Sequence, residues 1–369
     1  MKKYVTLGEV CTKGSSNIAQ KDIEQNNGSY GIYGASGYIK DVDFYHQDKP
    51  YIAVVKDGAG IGRTMLLPEK TSVIGTMQYL IPNDDVCVEY LYYAVTYMNL
   101  AKYFSGATIP HIYFKDYQKE KLPLLTIEEQ RKIADYLRKI DRLIELCNGI
   151  LQKLDVLVKS RFVEMFGDTY SNPMNWKRMT FRQASIRLSD GPFGSNLKSE
   201  HYSESGIRVI RLGNIGVGEF IDKDKSYIPT EHYEKLKKYT CRAGEIVIGT
   251  LGEPNLRACR IPDFIDIAVN KADCVHFIPD DNKLNIAFAC QYINCPETLL
   301  LASSMVHGQT RTRISSGQIA ELPIYLPPLA LQEHFATFVE HTDKSKLAVK
   351  QVLEKAETLK KALMQEYFG

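Results

Sequence analysis

An internal repeat constrains this chain more than any other feature of its sequence. At an offset of 202, residues 130–167 lie on residues 332–369 without a gap, and ten of the 38 positions are identical. The identical pairs are Gln130/Gln332, Ala134/Ala336, Asp141/Asp343, Leu151/Leu353, Lys153/Lys355, Leu157/Leu359, Lys159/Lys361, Glu164/Glu366, Phe166/Phe368 and Gly167/Gly369. A repeat decides architecture before any local reading, because both copies must adopt the same solution.

Spacing makes each copy a long helix. Ile133, Leu137, Ile140, Ile144, Cys147, Leu151, Leu154 and Val158 follow the four-three step of a seam packed on another helix. Tyr136, Leu143, Ile150 and Leu157 widen it, which predicts burial on two sides, against a partner helix and against a globular neighbour. The expected stripe in the second copy is Phe335, Phe338, Thr342, Val349, Val352, Ala356, Leu359 and Leu363. Thr126 and Glu129 have the form of a capping box, Gly167 supplies a stop, and Pro327 and Pro328 mark the start of the second copy. A helix of this length is on the order of 57 Å long at about 1.5 Å per residue. Asn148-Gly149 is the weak point, since a mid-helix glycine costs about 1 kcal/mol and Asn-Gly is also a turn signal. An outer-face glycine in an unbroken helix is the reading adopted, with a break as the alternative.

The segments before the helices also correspond. Residues 1–122 hold short β-rich stretches: YGIYGASGY at 30–38, YIAVV at 51–55, a DGAGIG turn at 57–62 and an apolar stretch at 78–81. A helical stretch at 89–104 follows, then a polar loop. In the second half EIVIG at 245–249 matches YIAVV, IPDD at 278–281 matches IPND at 81–84, and residues 284–293 take the place of 89–104. GQTRTRI at 308–314 echoes GATIPHI at 106–112, and Leu322-Pro323 echoes Leu122-Pro123. The expected fold is therefore α+β: two tandem copies of one unit, a small α/β domain followed by a long helix. The boundaries fall at 1–122, 123–170, 171–322 and 323–369. A pseudo-two-fold between like units sets the helices antiparallel, as an intramolecular coiled coil with a domain at either end.

Composition narrows the class only a little. With 369 residues, 44% hydrophobic and 24% charged, the chain reads as a globular protein of two or three domains, and its net charge of +2 does not itself advertise nucleic acid. Eight cysteines without a CxxC pair read as reduced core residues of a cytoplasmic protein. No apolar run approaches the roughly 20 residues of a membrane span, and no apolar region follows Lys2 and Lys3.

Several stretches together resemble one family. They are LPL with EQRKIADYL at 122–137, LPIYLPPLALQEHF at 322–335, the Phe-Gly endings at 166 and 368, NPMNW at 172–176, GPFGSNLKSEHY at 191–202 and GIRVIRLGNI at 206–215. In that order, with the duplication, the whole chain resembles the specificity subunits of type I restriction-modification enzymes. The resemblance implies a non-catalytic reader of double-stranded DNA, with two target-recognition domains that each read one half of a bipartite, asymmetric site. The helices would set the gap and dock two methyltransferase subunits, and restriction subunits would join for cleavage. S-adenosylmethionine, ATP and magnesium would act on those partners and not on this chain. Half-sites about one helical turn apart, roughly 34 Å, lie within reach of such a rod. The first domain departs from the second: it carries QKDI and YGIYGASGYI at 20–39 in place of GPFGS and IRLGNI, which implies a different half-site.

Candidate DNA contacts follow from residue type. Arg311 and Arg313 stand in a polar loop, where an arginine clamps guanine O6 and N7 or grips phosphate. Arg208, Arg211 and Asn214 read as one polar face of a strand, where Asn pairs with adenine. Ser195 and Lys198 are phosphate candidates, and Ser36, Lys40, Thr108 and His111 are the DNA-contact candidates of the first domain. For each, a solvated loop or strand face is the plain alternative, and for His111 a satisfied loop histidine. Other chemistry finds less support. DGAGIGRT at 57–64 has Asp57 and Arg63 where a phosphate loop needs Gly and Lys, so a turn is expected. Residues 172–176 lack the second proline of an amino-methyltransferase motif. No spacing of His, Cys and carboxylates suggests a metal or a nucleophile. The rival classes are a coiled-coil scaffold with protein-binding ends and an enzyme in its own right.

Overall fold

The computed structural model describes residues 3–106, 110–305 and 313–369. Two units emerge: 1–149 with 349–369, and 150–348. Each contains one globular region, the first half of the long helix that follows it and the last half of the other long helix.

In the first unit a four-stranded antiparallel sheet runs Cys11–Ser15, Met77–Pro82, Tyr51–Val55, Thr64–Leu67. YIAVV is wholly buried in it. A smaller sheet orders Gly37–Val42, Tyr30–Gly34 and Ser72–Val73, with the last pair parallel. Strand Lys3–Thr6 pairs with Lys121–Leu124, the segment that feeds the first long helix. The expected helix at 89–104 is shorter, Val88–Tyr97, because Asn99 turns left-handed at φ 50° and only a short 3-10 turn, Leu100–Tyr103, follows.

The second unit repeats this plan. Its four-stranded antiparallel sheet runs Ser185–Ser189, Cys274–Pro279, Ile246–Gly249, Arg257–Arg260, strand for strand the order of the first. The smaller sheet runs Ser226–Ile228, Ile207–Ile210, Ile267–Asn270, Thr240–Arg242, again with one parallel pair. Lys177–Thr180 pairs with Pro323–Leu326 before the second long helix. Even single hydrogen bonds recur: Tyr90 donates to the Pro123 carbonyl at 2.8 Å, and Tyr292 to that of Pro323 at 3.3 Å.

Both long helices are unbroken, Ile127–Phe166 and Leu329–Phe368. Thr126 and Glu129 form the expected box: the Thr126 hydroxyl and backbone N–H donate to Glu129 Oε2 at 2.8 and 3.0 Å. Gly167 ends the helix at φ +76°. Asn148-Gly149 does not interrupt it, and a Cβ at Gly149 would meet nothing within 4 Å. The NPMNW stretch is a helix stop. Trp176 donates its indole N–H to the Phe166 carbonyl at 3.0 Å, while Asn172 bonds both backbone groups of Trp176 at 2.9 and 3.0 Å.

Within each unit the helix segments run antiparallel. In the second, Asp155 meets Lys346 at 2.7 Å and Phe162 meets Phe335 at 5.4 Å, so advance along one helix is retreat along the other. In the first, Asp141 meets Lys360 at 2.5 Å, and Ile133, Ala134 and Leu137 share a core with Met364 and Phe368. The second helix's seam departs from the expected stripe. Val352 and Leu359 are exposed, and the seats belong to Leu353 and Lys360. Lys346 and Lys360 occupy seam positions by lying along the stripe with their ammonium groups on Asp155 and Asp141. The row that widens the first seam, Tyr136, Leu143, Ile150 and Leu157, is exposed in this chain.

Two buried glutamines staple helix to domain. Gln130 accepts from Cys87 N–H at 2.8 Å and donates to the Asp85 and Leu125 carbonyls; Gln332 accepts from Asn285 N–H at 2.8 Å and donates to those of Lys283 and Pro327. Seven of the eight cysteines are buried, Cys87 is half-buried, and none is in a disulfide. Burial pushes the thiols of Cys11, Cys241 and Cys274 up to about 12.

Gln130→Ala strands a buried amide and two carbonyls, so chemical denaturation should show a loss of about 2–3 kcal/mol. Gly149→Ala should instead raise stability by about 0.5–1 kcal/mol in the same measurement, since the new methyl has open space in a helix interior.

Candidate nucleic-acid interface

Loops at one end of the strands of each main sheet carry some of the candidate residues. In the first unit Tyr51–Val55 leads into the 56–62 turn, whose Gly58, Gly60 and Gly62 have positive φ. At Gly62 only glycine fits, because a Cβ would lie 2.4 Å from the Ala101 nitrogen. This turn is laced to the following loop: Gly58 N–H donates to the Pro110 carbonyl and Ile112 N–H to that of Lys56, both at 3.0 Å. His111 bridges Asp57 through the backbone, and its imidazole Nδ1 bonds the Asp57 carboxylate. Arg63 reaches the Ala35 carbonyl at 3.0 Å and ties in the hairpin turn that carries exposed Ser36. Ser36 and His111 therefore stand on one rim. Lys40 points elsewhere, to the Glu24 carbonyl at 3.1 Å and Asn27 at 3.2 Å. Thr108 lies outside the described residues.

The second unit has the corresponding rim. Arg313 bridges Leu251, as His111 bridges Asp57, and its guanidinium lies 3.2 Å from Asp273. Ser316 donates to the Asp190 carboxylate and holds the GPFGS loop beside it. Gly191 must be glycine here, since a Cβ would lie 2.1 Å from the Asn270 carbonyl. Lys271, on the same turn, sits 5.9 Å from the Tyr202 ring, and Arg211 sits 5.9 Å from that ring as well. Ser195 is exposed in the short 3-10 turn Gly194–Asn196 and Lys198 is exposed beside Glu200 at 3.5 Å. Arg311 lies outside the described residues.

Arg208, Arg211 and Asn214 do not share a strand face. The strand ends at Ile210, Arg211 precedes a 3-10 turn, and Asn214 folds back to accept from Arg211 N–H at 2.9 Å. Arg208 is buried, with Asp222 and the Asp224 carbonyl each at 2.7 Å and the Tyr227 ring beneath it. Asn214, wholly buried, donates to the carbonyls of Ile221 and Asp224 at 2.9 and 2.8 Å. Both hold the smaller sheet to its following loop. Only Arg211 of the three is open to solvent, paired with Asp224 at 2.9 Å. Sequence reasoning passed over Lys271, Tyr202 and the acids Asp57, Asp224 and Asp273. Asn-Lys-Ala-Asp at 270–273, a polar turn between two apolar strands, is the signal that was available. Among the described residues no three His, Cys, Asp or Glu side chains gather as a metal set, and no helix is long and apolar enough to cross a membrane.

A family model described as the type I restriction modification DNA specificity domain matches residues 2–156. The specificity subunit of the type I restriction enzyme MjaVIII from Methanocaldococcus jannaschii is 22% identical over 332 residues, which cover 85% of this chain and 77% of that protein. The MjaIX specificity subunit of the same organism is 34% identical over 286 residues, 71% of this chain and 63% of the relative. The crystal structure of a type I restriction-modification S subunit from M. genitalium shares the fold, with a TM-score of 0.64 at 18% identity over 100% of this chain and 96% of that one. This chain belongs to the family of type I restriction-modification specificity subunits.

Within the second main sheet, His276 is fully buried with Nε2 2.8 Å from Glu245. Burial alone would raise the Glu245 carboxyl, but the bonds from His276 and Arg242 N–H outweigh it and hold the group below its ordinary 4.5. A folded value below the unfolded one contributes stability that is complete above about pH 4.5 and lost as pH falls toward the depressed value. Acid titration of unfolding should therefore show a shallower loss below pH 4.5 for Glu245→Gln than for the parent chain.

Proposed function

We propose that this chain is the DNA-reading, non-catalytic subunit of a type I restriction-modification complex in the cytoplasm. Residues 1–122 and 171–322 act as target-recognition domains, each on one half of a bipartite asymmetric site in double-stranded DNA. The long helices, within 123–170 and 323–369, form the antiparallel spacer that sets the gap and dock two methyltransferase subunits, with restriction subunits joining for cleavage. S-adenosylmethionine, ATP and magnesium belong to those partners.

One observation carries this reading. The two units repeat the main sheet strand for strand, yet the side chains on their rims differ: Ser36, Arg63 and His111 in one, Lys271, Arg211 and Arg313 in the other. A constant scaffold with variable rims is what two readers of different half-sites require, since base edges are told apart by donor and acceptor pattern. Support for docking comes from the helices. Each unit leaves apolar helix residues in solvent, Tyr136, Leu143 and Leu359 in the first, Ile150, Leu157 and Leu347 in the second.

Exchanging residues 1–121 for those of a relative should change one half of the methylated motif, read by base-modification sequencing, and leave the other intact. A change in both halves would refute modular reading, and an assembled complex without sequence preference would favour a scaffold role.

A further inference from the structure

His111 and Arg313 hold the same place in the two copies, 202 residues apart, each just before a buried isoleucine, Ile112 and Ile314. Each bridges the chain that leaves the buried central strand, at Asp57 and Leu251. The backbone is thus repeated, but the acid is not. In the first unit the bridging residue itself, Asp57, supplies the carboxylate that holds the imidazole. In the second, Leu251 offers none, and the carboxylate comes from a different strand end, Asp273, 3.2 Å from Arg313. Thr250 anchors Asp273 by donating its N–H and hydroxyl to the Asp273 carbonyl at 3.1 and 3.0 Å. Two separate chain segments therefore build one arrangement, a nitrogen-bearing rim side chain held by an aspartate. Stability is a weak reason for it. The side chains are 26% and 27% exposed in one pair and 43% and 33% in the other, and such partly solvated pairs contribute about 0–1 kcal/mol.

We propose that Asp57 and Asp273 are positioning residues for sequence discrimination, an inference that rests on the DNA-reading role proposed above. Each aspartate fixes the direction of the side chain it holds, and Asp273 also offsets the Arg313 charge that a phosphate of any sequence would feel. Asp273 takes only one guanidinium nitrogen, so Arg313 can keep that contact and still present N–H donors to DNA. A guanine edge offers O6 and N7 to the guanidinium held in this direction. An edge that presents a donor there meets the guanidinium donor to donor, and because Asp273 keeps it from swinging to another acceptor, the wrong sequence is penalised and the right one is not. The nearly neutral net charge of +2 fits such a reader, in which little attraction to phosphate is left unbalanced.

The test uses the complex assembled with its methyltransferase subunits, the duplex identified by methylation mapping and a scrambled duplex. Asp273→Asn should bind the scrambled duplex several-fold more tightly and gain less on the native site, so the ratio of the two affinities falls. Its log–log salt dependence on the scrambled duplex should steepen by about 0.9, one phosphate contact. Asp281→Asn makes the same charge change beyond the far end of strand Cys274–Pro279 and should leave the ratio unaltered, while Asp273→Glu should restore it. An unchanged ratio in Asp273→Asn, or an equal fall in Asp281→Asn, overturns the proposal. Should Asp273→Asn fail to assemble, Asp57→Asn is read by the same ratio against duplexes altered in the first half-site. A parent complex without preference between the duplexes would instead sink the DNA-reading role itself.

Discussion

Everything in this fold depends on an aromatic side chain that arrives from the far end of a helix to close a core begun elsewhere. Phe368 packs on Tyr90 with ring centroids 5.2 Å apart in the first unit, and Phe166 on Phe288 at 4.8 Å and Phe335 at 5.6 Å in the second. Burying a side chain of this size contributes about 1.5–3 kcal/mol, more than a surface ion pair between the helices. The Phe of the Phe-Gly identity in each copy is thus a core residue, and after Phe166 the left-handed Gly167 stops the helix. Gln130 and Gln332 do the complementary work at the other helix ends, where they satisfy backbone groups that would otherwise be buried without partners.

What the sequence made legible was whatever recurs at short range or at the repeat offset. The helices, their capping box, the match of YIAVV to EIVIG and the outer-face Gly149 all rest on local pattern. The second helix's seam was misread because hydrophobicity was followed where the offset should have been: carrying Leu151 and Val158 forward by 202 names Leu353 and Lys360. Lysine at a seam is invisible to an apolar count, since its place depends on an aspartate of the other helix. The wide stripe failed for a related reason, as Leu143 and Ile150 face solvent in the chain taken alone.

The candidate site was legible by region and not by residue. The loops ending at His111 and Arg313 were found from their echo, and the structure gives both the same bridge. Arg208 and Asn214 look like readers in sequence and are braces in the fold, because Asp222 and the Asp224 carbonyl, ten or more residues away, claim them. No periodicity reports such pairings. An arginine in a polar stretch announces a charge; only its surroundings decide whether that charge faces outward.

The sharing of helix halves between units also governs how the chain can fold as it is made. The first unit's core includes Ile133 and Tyr90, which emerge early, together with Met364 and Phe368, which emerge more than 200 residues later. Until synthesis reaches Phe368, the first unit must wait with part of its apolar surface uncovered, and nascent chains in that condition are prone to association and to capture by chaperones. A frameshift or premature stop in the last helix therefore strikes the domain made first, although the lesion lies at the other end of the reading frame.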